Sequence, residues 1–99
     1  MIVYNETYVM EEAIQQDWLN WMQTTQIPAI MKTGWFNSHK ILRIIDSPNE
    51  GVTYCVQYTT DTRERYNFFH QQHLHHFHEL HNQKFENKFV LFNTLMDEI

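Results

Sequence analysis

One cysteine, two glycines and two prolines in 99 residues set the first limits on this chain. Cys55 stands alone, so no internal disulfide can form, and nothing argues for an oxidising compartment. Two glycines cannot supply a glycine-rich phosphate loop, and neither a nucleophile elbow nor a paired-carboxylate pattern is present. No apolar run approaches the ~20 residues needed to span a bilayer. The opening Met1-Ile2-Val3-Tyr4-Asn5-Glu6 lacks the basic and apolar stretches of a signal peptide, so a cytoplasmic location is the expectation. Basic residues are also scarce: 7 Lys and Arg face 12 Asp and Glu, a formal charge of −5. They are scattered rather than gathered in a patch, which argues against nucleic acid or an anionic membrane as partner.

What is abundant is apolar and aromatic side chain, 42% and 15% of the residues. That is too rich for a disordered chain. The length suits a single domain over 1–99, which buries only roughly 60–65% of the surface its unfolded chain exposes. Association with another chain widens so narrow a margin. Seven histidines make solubility pH-sensitive, because full protonation carries the net charge from −5 to +2.

The pattern alternates between two periods. Residues 2–10 alternate as a strand with apolar residues on both faces. From Glu11 the period becomes helical, with Ile14, Trp18, Trp21, Met22 and Thr25 on one stripe. A break near 24–27 and a separate short helix over 28–33 are expected around Pro28, with Gly34 as the stop. Residues 35–46 read as a second strand. Ser47-Pro48-Asn49-Glu50-Gly51 is a turn, and 52–60 is the third strand of a hairpin. Asp61 and Glu64 resemble a capping box opening a helix over about 62–82, whose stripe runs Tyr66, Phe69, Phe77 and Leu80. His73 falls inside this stripe, and His81 falls near its border. Residues 88–96 alternate again.

The order is therefore strand, helix, strand, strand, helix, strand. Right-handed crossovers and one hairpin give an α+β, ferredoxin-like fold: a four-stranded antiparallel sheet of order 4-1-3-2 with two helices on one face. The other face would be left bare with Trp, Tyr, Ile, Leu and Phe on it. A second copy covering it makes the expected partner the chain itself, as a homodimer.

The chain also resembles a bacterial family called domain of unknown function 4286. The likeness rests on Met1-Ile-Val-Tyr-Asn5, Trp18-Leu-x-Trp21-Met22, Ile27-Pro28, Thr33-Gly34-x-Phe36, Leu42-Arg43-Ile44, Thr53-Tyr54-x-Val56-Gln57-Tyr58 and His81-x-x-Lys84-Phe85-x-x-Lys88-Phe89-Val90-x-Phe92-x-Thr94-Leu95. It implies the dimeric α/β-barrel form of the fold, a class that holds small monooxygenases, isomerases and plain binding modules. It implies no activity and carries over no catalytic residue. Asn93 departs from the basic residue that similar sequences favour there, and the second helix is richer in histidine than the family pattern.

Residue chemistry supplies a short list of candidates. His70, His73, His75, His76, His78 and His81 cluster within twelve residues, at i, i+3 spacings and never i, i+4. His78-Glu79-Leu80-His81 has one residue too few between Glu and the second His for a zincin motif, so no metal is expected, with His78 and His81 the weak candidates. His81, His73 and Arg43 are the candidate catalytic groups of a pocket between helix and sheet. Asn5, Gln57 and Arg43 are the candidate ligand contacts; buried amides such as Asn5 and Gln57 either satisfy each other or hold a ligand. Cys55 reads as a small buried hydrophobe. No cofactor is expected. The ranked readings are a homodimeric module binding a small molecule or a protein, then a cofactor-independent dimeric-barrel enzyme, monooxygenase- or isomerase-like, then metal binding by the histidine-rich helix.

Overall fold

The computed structural model describes residues 1–48 and 50–99, so Asn49 of the expected turn lies outside the described residues. The strands are β1 (Ile2–Met10), β2 (Ser38–Arg43), β3 (Val52–Thr60) and β4 (Phe89–Asp97). The helices are α1 (Gln15–Trp21), α2 (Ile27–Lys32), α3 (Arg63–Phe69) and α4 (His75–Lys84). Between α1 and α2 the backbone passes through a π-helical turn, Met22–Gln26, and between α3 and α4 through another, His70–Leu74. Helical backbone is thus unbroken over 15–32 and 63–84, and the four helices form two rods.

The sheet is antiparallel with order β2-β3-β1-β4, the expected order read from the opposite edge. Both rods cover one face. Tyr4, Tyr8 and Met10 of β1 and Tyr54, Val56 and Tyr58 of β3 are buried beneath them, against Trp18, Met22, Ile27 and Ile30 of the first rod and Tyr66, Phe69 and Phe77 of the second. The outer face differs from expectation. All four strand tyrosines turn inward, so neither Trp nor Tyr stands outside. In register across the sheet run Leu42, Cys55, Thr7 and Phe92, then Lys40, Gln57, Asn5 and Thr94. The outer surface is apolar in patches, with Val90 and Phe92 more than half exposed, and crossed by a polar row.

The expected break near 24–27 does not occur. Pro28 brings no N–H, and in an α-helix its ring would collide with the carbonyl four residues back, that of Thr24. The π turn, closed by Ile27 N–H on the Met22 carbonyl, widens the rod and lets it continue. The wider turn also holds one extra residue, which rotates everything after it. The stripe therefore passes to buried Gln26 rather than exposed Thr25. The second rod repeats the effect. From Leu74 onward the buried positions are Leu74, Phe77, His81 and Phe85, while Leu80 is 37% exposed.

Smaller departures have local causes. The N-cap of α3 is Thr62, one residue past Asp61, its hydroxyl accepting from Arg65 N–H at 3.2 Å. β2 is shorter than 35–46. At its start Phe36 leaves the strand direction to pack on Tyr58 and Phe69. At its end Asp46 adopts a positive φ of 57°. Gly51 is required by space as well as by its φ of 83°: a Cβ there would lie 2.3 Å from the Met10 carbonyl oxygen.

Candidate functional site

The inward row of β1 reads Tyr4, Glu6, Tyr8, and so strict alternation places a carboxylate under the helices. Glu6 is 2% exposed. Its Oε2 accepts from the Tyr4 hydroxyl at 2.9 Å and lies 2.8 Å from His78 Nε2. Its Oε1 accepts from the Tyr8 hydroxyl at 3.0 Å. Three donors thus converge on a group that, when ionised, only accepts. His78, from α4, is the one basic side chain in ion-pair reach of Glu6 among the described residues, and 26% of its side chain is exposed. Burial, reinforced by the charge of Glu6, pushes the Tyr4 and Tyr8 phenols well above their ordinary range, so both stay protonated and donating.

Two polar atoms beside this cluster are orphaned. The Tyr58 hydroxyl is buried without a partner among the described residues, and burial raises its phenol as well. Tyr58→Phe removes only that hydroxyl. We expect unchanged stability or a gain of up to about 1 kcal/mol by urea denaturation; a loss of that size would mean the hydroxyl has a partner. The second orphan is His81 Nδ1. His81 Nε2 lies 2.8 Å from Trp18 Nε1, and because indole only donates, Nε2 accepts and the proton sits on Nδ1. Tyr8, Trp21, Phe85 and Phe89 enclose the ring. Burial, with His78 nearby, lowers its pKa from 6.5 to about 4, so His81 is neutral.

Of the residues singled out in the sequence, His78 and His81 come together on the buried side of α4 but serve different neighbours. His73 is half-buried between the rings of Phe69 and Phe77, away from Glu6. Asn5 and Gln57 lie on the opposite sheet face, where Gln57 Nε2 donates to Asn5 Oδ1 at 3.2 Å and Asn5 Nδ2 to Thr7 Oγ1 at 2.9 Å. Arg43 is exposed near the end of the edge strand β2. Cys55 is half-buried rather than buried, its Sγ 3.5 Å from Thr7 Oγ1. Among the described residues no three His, Cys, Asp or Glu side chains are grouped to hold a metal ion. The central residue, Glu6, is not among the candidates that the sequence supplies. The signal available was a carboxylate sharing the inward parity of two tyrosines.

These elements define a ferredoxin-like α+β domain with a histidine–carboxylate pair between sheet and helices. The fold is similar to that of an ethyl tert-butyl ether D family protein from Bacillus halodurans, at 20% identity and TM-score 0.69, covering 100% of both chains. A dimeric ferredoxin-like protein from an uncultured marine organism matches at 12% identity and TM-score 0.72, over 100% of this chain and 95% of that one. SnoaB, a cofactor-independent oxygenase from Streptomyces nogalater, matches at 12% identity and TM-score 0.64, over 98% and 91%. No curated protein matches the chain. The chain belongs to the family described as a domain of unknown function, DUF4286, whose model matches residues 1–99.

Proposed function

We propose that this protein is a homodimeric proton-transfer enzyme for a small organic substrate, with His78 as acid/base and Glu6 behind it. One observation carries the reading: a carboxylate only 2% exposed holds His78 Nε2 at 2.8 Å while about a quarter of that side chain stays open. With Nε2–H turned to Glu6, the lone pair for a substrate is on Nδ1. The substrate proton passes to Nδ1, its bonding electron pair stays on the substrate, and the imidazolium is stabilised by the Glu6 carboxylate. Tyr4 and Tyr8 position Glu6 through its two oxygens. The oxygenase among the similar structures supports this at the level of the fold.

The dimer reading rests on the outer sheet face, where Leu42, Val90, Phe92 and Met96 are exposed, and on similar structures described as dimeric. Sedimentation should give a dimer at micromolar concentration; a monomer would remove this part of the reading.

A specific observation favours a second reading, a non-catalytic binding module. Neither Glu6 nor His78 lines any of the described cavities. The two readings part in D2O. With an NMR panel of small ketones, keto acids and dicarbonyl compounds, the enzyme reading expects catalysed exchange of the proton next to a carbonyl for at least one compound. His78→Asn should cut that rate at least about 100-fold. Ligands that raise Tm without any catalysed exchange would establish the module instead.

A further inference from the structure

A concavity independent of Glu6 and His78 lies where the two rods meet at the far end of α4. Its volume is about 480 Å³, within the range of small-molecule sites. The half-buried Trp21 and the buried Phe85 form its floor, their rings meeting edge to face at 5.6 Å. Asn20, Thr24 and Thr25 form a polar wall, where α1 runs into its π turn. Lys84 and Lys88 stand at the other side, where the second rod ends and the chain turns through Asn87 at a φ of 63°.

The charge at this groove is unusual for the molecule. Two of only seven basic residues border it, in a chain of net charge −5. Asp17 is also at the groove, yet neither lysine has an ion-pair partner among the described residues. The Thr24 hydroxyl donates to the Asn20 carbonyl at 2.7 Å, while the Asn20 side-chain amide is bonded to nothing among the described residues. An aromatic floor, two unpaired ammonium groups and a free amide form a complementary set: a ring to stack, an anion to neutralise and an acceptor or donor to orient.

We infer that this groove binds a small aromatic molecule bearing one anionic group, a carboxylate or a phosphate monoester, with its ring against Trp21 and its anion between Lys84 and Lys88.

Titration of the full-length protein with benzoate and with phenyl phosphate, followed by NMR, tests this. Saturable shifts are expected at the Trp21 indole N–H and at the Lys84 and Lys88 amides, and the tighter of the two probes identifies the anion. The double variant K84Q/K88Q, altered only at exposed positions, should weaken binding at least about tenfold. Cyclohexanecarboxylate and inorganic phosphate, which lack an aromatic ring, should each bind at least about fivefold more weakly than their aromatic counterparts. The inference fails if neither aromatic anion gives saturable shifts up to about 20 mM. It fails equally if the double variant binds as the wild type does, or if inorganic phosphate matches phenyl phosphate, which would mean an adventitious ion only.

Discussion

Glu6→Ala is expected to destabilise the protein by about 3–5 kcal/mol, because removing one partner of a buried pair leaves the others desolvated and unpaired. Tyr4, Tyr8 and His78 each direct a polar hydrogen at this one side chain. Water cannot replace it readily at a position 2% exposed. Glu6→Gln keeps the volume and one acceptor oxygen but turns an NH2 toward donors, and a loss of about 1–2 kcal/mol is expected. Urea denaturation of the two variants checks both values. If Glu6→Ala costs less than 1 kcal/mol, the three donors find other partners and the cluster does not anchor the core. The pair of variants also separates roles, since an enzyme should lose its chemistry in Glu6→Gln well before it loses its fold.

The second large effect is a stability change in acid. His81 has a folded-state pKa of about 4 against the ordinary 6.5, so folding favours the neutral ring. Its contribution is complete above pH 6.5 and disappears as the pH falls toward 4, because the unfolded chain binds a proton that the folded chain refuses. Wild type should lose on the order of 3 kcal/mol more than His81→Phe between pH 7 and pH 4. The titratable groups beside this ring, Tyr8 on β1 and His78 on the same helix, are retained in both proteins, so the difference isolates His81. Parallel stability–pH curves for the two proteins would show that the ring is solvated before it is protonated. The variant also gives up the bond from Trp18 Nε1, so its stability at pH 7 should be lower even as its pH dependence flattens.

Most of the architecture was legible because it depends on parity. The alternation over 2–10, 52–60 and 88–96 fixes which residues face the helices, and one hairpin with two crossovers leaves a single sheet order. Parity puts Glu6 on the inward row too, but a charged residue in an apolar row reads as noise until His78 arrives from a helix 72 positions away. An unbroken α-helical period puts His81 at the edge of the stripe, yet it is fully enclosed, and puts Leu80 inside, yet Leu80 is exposed. Both shifts follow from the π turn at His70–Leu74, where no proline, glycine or change of composition marks the extra residue. The outer face departs from expectation for another reason. Tyrosine counts as apolar in a pattern, yet all four strand tyrosines share the inner side, leaving threonines and amides to outer positions. Gln57 donates to Asn5 and Asn5 in turn to Thr7, so the two amides are linked only in part to each other.

The widened turns carry a consequence for sequence comparison. Each is equivalent to one residue spliced into a helix, so a relative with an ordinary α-helix at the same place would be one residue shorter there while keeping every packed side chain. Aligned without a gap through the helix, such a relative would match Leu80 to the position that His81 occupies in space, and His78 to its neighbour. A gap inside 70–74, and another inside 22–26, restores the correspondence, although gaps within helices are what alignments are ordinarily built to avoid.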